Sequence, residues 1–207
     1  MRKNSHNYFY IKYKEGIRMR LLHFIGEYFS ERFTPLIRFL HYAVIFLVLT
    51  QIVLSNFMEV SHDGAVGNSV VEYYSTWIHI LTGLLLVFVV LFFIYIELKK
   101  HGFAYFFPYL YGDFEQIKLD FAQLKSFQLP EASPKGFAAV IQGLGLGALF
   151  LVVLSGFTWF ITWRLESPFA GDVKEIHQLL TGLIEVYVIG HGGMGLVHLF
   201  KAFKCKS

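Results

Sequence analysis

HQLLTGLIEVYVIGHGGMGLVH, residues 177–198, is the stretch that decides the fold. It is apolar for longer than one face of a soluble helix requires, yet it carries three imidazoles. It lies inside an apolar run over 176–200, and about 20 such residues cross roughly 30 Å of hydrocarbon at ~1.5 Å each. Three further runs qualify, at 35–58, 73–96 and 137–163. Pro35 suits a first helical turn. Pro130 and Pro134 precede the third run and Pro168 follows it, so no run has an interior proline. The whole chain agrees, with 55% hydrophobic residues, 16% charged residues and a mean hydropathy of +0.51 over 207 residues. A soluble globule of this size could not bury so much apolar surface. The single Cys205 rules out a disulfide scaffold, and the composition rules out disorder. The expected fold is an all-α membrane protein, a four-transmembrane-helix bundle.

Lysine and arginine set the expected orientation. Sixteen of the eighteen lie at or before Arg38, within 99–135, or after the fourth run; only Arg164 and Lys174 fall on the other side. Both termini and the 98–136 loop are therefore expected in the cytoplasm, with multi-pass insertion in the membrane. The outer loops carry Glu59, Asp63, Glu72, Glu166, Asp172 and Glu175 against those two cations. Such a face favours a basic partner and disfavours small anions. Residues 1–34 show no signal-peptide pattern, and Met19 offers an alternative start. The stretch IRMRLLHFIGEYFSERF (17–33) suits an interfacial amphipathic helix. The expected organisation is a cytoplasmic segment 1–34, a helical domain 35–200 and a basic tail 201–207. Nothing in the pattern calls for nucleic acid.

Of nine histidines, His41, His79, His177, His191 and His198 fall within the runs. Ionisable groups in hydrocarbon are costly and mark function by default. Depth pairs His79 with His177 in the outer half and His41 with His191 in the inner half. His191 follows His177 by 14 residues, about 21 Å along the axis and about 40° away in azimuth. Two bis-imidazole sites stacked in a bundle suit two b-type haems, whose iron takes axial ligands from opposite faces. Zinc fits less well, since no Cys, Asp or Glu joins either pair, and the chain has no CxxCH for covalent haem. HILTGLL (79–85) echoes HQLLTGLI (177–184) around the two outer histidines. Gly83, Gly182, Gly190, Gly192, Gly193 and Gly195 suit either a macrocycle lying against backbone or close helix packing. Arg38, one turn before His41, suits either a haem propionate or an interface anchor. His198 competes with His191 as the inner ligand but falls about 31 Å from His177, at the interface; a propionate or quinone contact is its other reading. Glu185, mid-span, suits a proton route or an interhelical hydrogen bond.

These residues resemble the bacterial di-haem cytochrome b superfamily, which includes cytochrome b561 and the cytochrome b subunits of formate dehydrogenase and nickel–iron hydrogenase. The resemblance covers about 35–200. It rests on Arg38 with His41, on His79, on the fourth-run H-x13-H pair extended as HGGMGLVHLF, and on PKGFAAVIQ…LSG in the third run. It implies electron transfer through two haems between an outer redox partner, a periplasmic protein or catalytic subunit, and membrane quinone. It also implies a quinone site near the inner haem, built from Lys135, Gly136, Gln142 and the surroundings of His191. Gln142 could equally tie helices together. Two other readings stand beside it. One is a free-standing superoxide oxidase of the b561 type that reduces quinone; the other is a non-redox anchor or transporter. The N-terminal segment and the 98–136 loop have no role in the resemblance.

Overall fold

The computed structural model describes residues 23–61 and 64–206. Residues 23–32 are helical (α1), followed by α2 (Pro35–Ser55), α3 (Val70–His101) and the short α4 (Phe103–Phe106). After a 3-10 turn at Pro108–Tyr111 come α5 (Glu115–Lys125), α6 (Phe137–Arg164) and α7 (Ala170–Lys206). Helices α2, α3, α6 and α7 are each long and apolar enough to cross a membrane. The four-helix membrane bundle is therefore the observed fold. Two helices outrun the apolar runs that announce them. With 32 and 37 residues, α3 and α7 reach about 48 and 56 Å at ~1.5 Å per residue. Their polar ends simply continue the helix past the hydrocarbon, as at Lys99, Lys100 and His101, where Gly102 at φ +80° stops α3.

Helices α2, α3, α6 and α7 pack successively on one another. Leu40, Val44, Leu47 and Val48 of α2 recur at helical spacing and bury against Leu86, Val90 and Phe93 of α3, with Leu146, Leu149 and Val153 of α6. From α7 only Ile184 joins this core. Lipid tails are as apolar as leucine, so close packing rather than escape from water brings such helices together. Helix α6 is made for it, burying Gly143, Gly145, Ala148 and Ser155.

The end of the bundle that carries residue 23 and residue 206 is the basic one. Of the amphipathic stretch over 17–33, residues 17–22 lie outside the described residues, as does Met19; from residue 23 onward it is helical. There Phe24 is buried and meets Phe203 edge-on, with ring centres 5.2 Å apart. The 98–136 segment is no loose loop but a folded cap. Phe106, 1% exposed, lies so close to α6 that a Cβ at Gly143 would sit 2.8 Å from its backbone oxygen. The buried Asp120 accepts from the Phe137 backbone N–H at 2.6 Å and from Gln116 Nε2 at 2.7 Å. It thereby satisfies one of the orphan N–H groups that open α6. Lys135 donates to Asp113 at 2.9 Å, holding that exposed carboxyl below its usual range. The pair thus helps at neutral pH and is lost in acid.

At the acidic end, Ser69 and Glu72 close a capping box on α3. The 56–69 connection is pinned across the bundle: Trp163 Nε1 donates to the Gly64 carbonyl at 2.9 Å, and Lys174 Nζ to the Val60 carbonyl at 2.6 Å.

Asp120→Ala removes the cap of α6 and leaves the Phe137 N–H without its acceptor. We expect a loss of about 1–2 kcal/mol, read as a lower Tm in detergent, with Asp120→Asn losing less.

Candidate functional site

Imidazoles from non-adjacent helices meet at two heights. Near the acidic end His79 of α3 faces His177 of α7, with ring centres 6.4 Å apart and planes at 79°. Toward the basic end His41 of α2 faces His191 of α7, again at 6.4 Å, with planes at 66°. A metal ion held between two imidazoles at ~2.0–2.1 Å from each nitrogen sets the ring centres about 6.4 Å apart, because the nitrogen lies about 1.2 Å from the centre. Both pairs have that spacing. No group of three or more His, Cys, Asp or Glu side chains gathers among the described residues. The donor sets are thus two nitrogens each, which suits axial ligation of a planar macrocycle and not a tetrahedral zinc site.

The surroundings of the two pairs differ. In the first, a cavity lies between the helices, lined by Gln51, His79, Gly83, Trp159, His177 and Thr181 among mostly apolar neighbours. Gly156 shapes its α6 wall. A Cβ there would stand 2.8 Å from His177 Cε1, so only glycine lets the ring lie against the helix. Ser155 Oγ is 3.0 Å from His177 Nδ1 and 2.9 Å from the Val152 carbonyl. His79 Nδ1 is buried and has no hydrogen-bond partner. Gln51 Nε2 donates to Thr82 Oγ1 at 2.6 Å, tying α2 to α3 beside Gly83.

The second pair is flanked by aromatic rings. Tyr187 stacks on His191 at 5.1 Å and 10°, and Phe33 on His41 at 6.2 Å and 11°. Tyr187 reaches this position through Gly145, where any Cβ would collide with its ring. Among the described residues no hydrogen bond reaches either imidazole.

The remaining expected residues are placed as follows. Arg38 is half-buried one turn before His41 and makes no ion pair among the described residues. Gln142 is half-buried on α6, beside the glycine on which Phe106 packs, without a side-chain hydrogen bond among the described residues. His198 stands two turns beyond His191, within electrostatic reach of Arg32 and Lys201. No ring of the described residues faces it as His41 faces His191. Glu185 points outward from α7, away from the other helices. Lys135 is taken by Asp113 and Gly136 by the cap around Asp120. Reading the sequence missed Ser155, Gly156, Gly145 and Tyr187 as parts of the site; the LSG triplet at 154–156 was the one available signal.

Fold and site together define a four-helix membrane protein that presents paired histidines to a cofactor. The family model of prokaryotic cytochrome b561 matches residues 32–204, and the chain belongs to that family. No curated protein and no solved structure matches it. Membership makes it a bacterial membrane cytochrome with haem b as cofactor and electron transfer as its business.

Gly156→Val drives two methyl groups into the His177 ring. We expect the purified protein to lose haem, measured by pyridine haemochrome per chain. Gly147→Val, with nothing near its Cβ position, should keep it.

Proposed function

We propose that the chain carries electrons across the membrane through two b-type haems, one of which His79 and His177 would hold, and the other His41 and His191. The observation that carries this reading is the equal 6.4 Å spacing of the two imidazole pairs. Bound there, the haems supply one-electron chemistry that no side chain of the chain could provide. The polypeptide holds the rings at two depths, excludes water with leucine, valine and phenylalanine, and offers Arg38 for a propionate.

The basic end is cytoplasmic on this reading, by the distribution of lysine and arginine, and the membrane is the bacterial inner membrane. Electrons pass between a redox protein or catalytic subunit at the acidic outer face and quinone near the His41–His191 pair. Gln142 and His198 are the polar candidates at that depth. Lys135 and Gly136 are weaker ones, since both already serve the cap of α6.

The superoxide-oxidase reading uses the same haems and the two outer cations. Lys174 is committed to the Val60 carbonyl and Arg164 lies over the Trp163 ring, 6.0 Å from its centre. Lys174 is thus engaged and the exposed Arg164 stands in an acidic surface, so capture of a small anion is the less favoured use of that face.

Two low-spin b haems per chain are the expected result of oxidised and dithionite-reduced spectra. His79→Ala and His41→Ala should each remove one. A colourless chain, or two haems retained in both variants, would refute the ligand assignment. Adding superoxide to the oxidised protein should leave the haems oxidised; rapid reduction would favour the free-standing enzyme.

A further inference from the structure

Ser155 has one proton and two neighbours that compete for it. The Val152 carbonyl, 2.9 Å away, can only accept. His177 Nδ1, 3.0 Å away, can accept or donate. In one arrangement the hydroxyl donates to Val152 and its oxygen accepts from His177 Nδ1–H; the ring also reaches the Val152 carbonyl itself, which can only accept and so favours the same proton position. The imidazole then has its proton on Nδ1 and its lone pair on Nε2. Donation from the hydroxyl into the carbonyl also polarises the oxygen that receives the imidazole proton. The bond is sheltered, since Ser155 is buried, and it is fixed in direction, since Gly156 lets the ring lie against α6. Among the described residues no other imidazole of the two pairs has a side-chain hydrogen bond; His79 reaches the Gln51 backbone, and its Nδ1 is buried without a partner.

We propose that Ser155 is a positioning residue for the His79–His177 site, selecting the Nε2-binding tautomer of His177 and strengthening that nitrogen as a donor to iron. The inference rests on the haem reading above and deepens it. A histidine whose far N–H is hydrogen-bonded is a more basic ligand, and outer partners of this kind typically change metal affinity 10–100-fold. A stronger donor favours ferric over ferrous iron. The couple is a single electron added to Fe(III), and the Nδ1 proton stays on the ring in both states. Ser155 therefore lowers the potential of one haem and leaves the other untouched.

The test is a potentiometric titration of the full chain in detergent, with haem content measured alongside. Ser155→Ala should keep two haems per chain. At a fixed ambient potential the ferric-to-ferrous ratio of one haem should fall about three- to tenfold, an upward shift of about 28–59 mV at 59 mV per decade. The second haem should titrate as in the wild type. Ser155→Thr, which keeps the hydroxyl, should restore the first. Ser155→Cys, a weaker acceptor of similar size, should fall between, and it decides the matter should Ser155→Ala not assemble. Unchanged potentials with both haems present, or equal movement of both, would overturn the role of Ser155. Wild-type haem content reports separately on the underlying reading: were that reading wrong, the wild type itself would show fewer than two low-spin haems, before any variant is made.

Discussion

The meeting of imidazoles across the bundle is the constraint on which the arrangement of α7 depends. This helix contributes one buried apolar side chain to the core and rests chiefly on α6. In lipid there is no hydrophobic gain to pull it further, because hydrocarbon tails satisfy leucine as well as a neighbouring helix does. It meets α2 and α3 where His191 faces His41 and His177 faces His79. On the proposed reading the four imidazoles would hold iron, and the cofactors would add cross-links to the contacts α7 already makes with α6, with Phe24 and with the 56–69 connection. Binding would then also be part of folding, as in other sites whose ligands come from separate segments.

The two sites solve the same problem by different physics. His177 is held by a directional bond to Ser155 and by room at Gly156, which together fix both the tilt of the ring and the nitrogen that carries its proton. His41 and His191 lie against Phe33 and Tyr187, surfaces that restrict the plane of a ring without choosing its tautomer. Stacked rings are held by contact area and quadrupole, worth about 0.5–1.5 kcal/mol beyond burial. A hydrogen bond sheltered from water is worth a similar amount but also changes the electrons of the ring. On the proposed reading, chemically equal ligands would thus acquire unequal donor strength from their neighbours alone.

How much of this was legible in the sequence follows from the range of each interaction. Hydropathy is a sum over about 20 residues, so the four spans stood out, and Pro35 marked the start of α2. The ends of α3 and α7 did not, because helix continues into polar residues wherever propensity allows. The histidines were visible as costly groups in hydrocarbon. Ser155 was not, since a serine in a membrane helix usually bonds back to its own turn, and this one does so as well. The 98–136 segment read as a loop because its apolar residues are spaced for no single helix. Their partners, Gly143 for Phe106 and Phe137 for Asp120, lie on α6 and are known only once the chain has folded back. Glu185 read as a candidate buried acid, yet its azimuth on α7 turns it outward.

Helix α6 acts as the ruler for both sites, although it supplies no imidazole. Gly145 and Gly156 are 11 residues apart, about 16 Å along the axis and about 20° in azimuth. They form two notches on one face, the first taking Tyr187 behind His191 and the second taking the ring of His177. Ser155 follows Phe137 by 18 residues, five full turns at about 100° per residue. Ser155 therefore lies on the same face of α6 as Phe137, the point where the helix begins. That point is set by Asp120, through the N–H of Phe137.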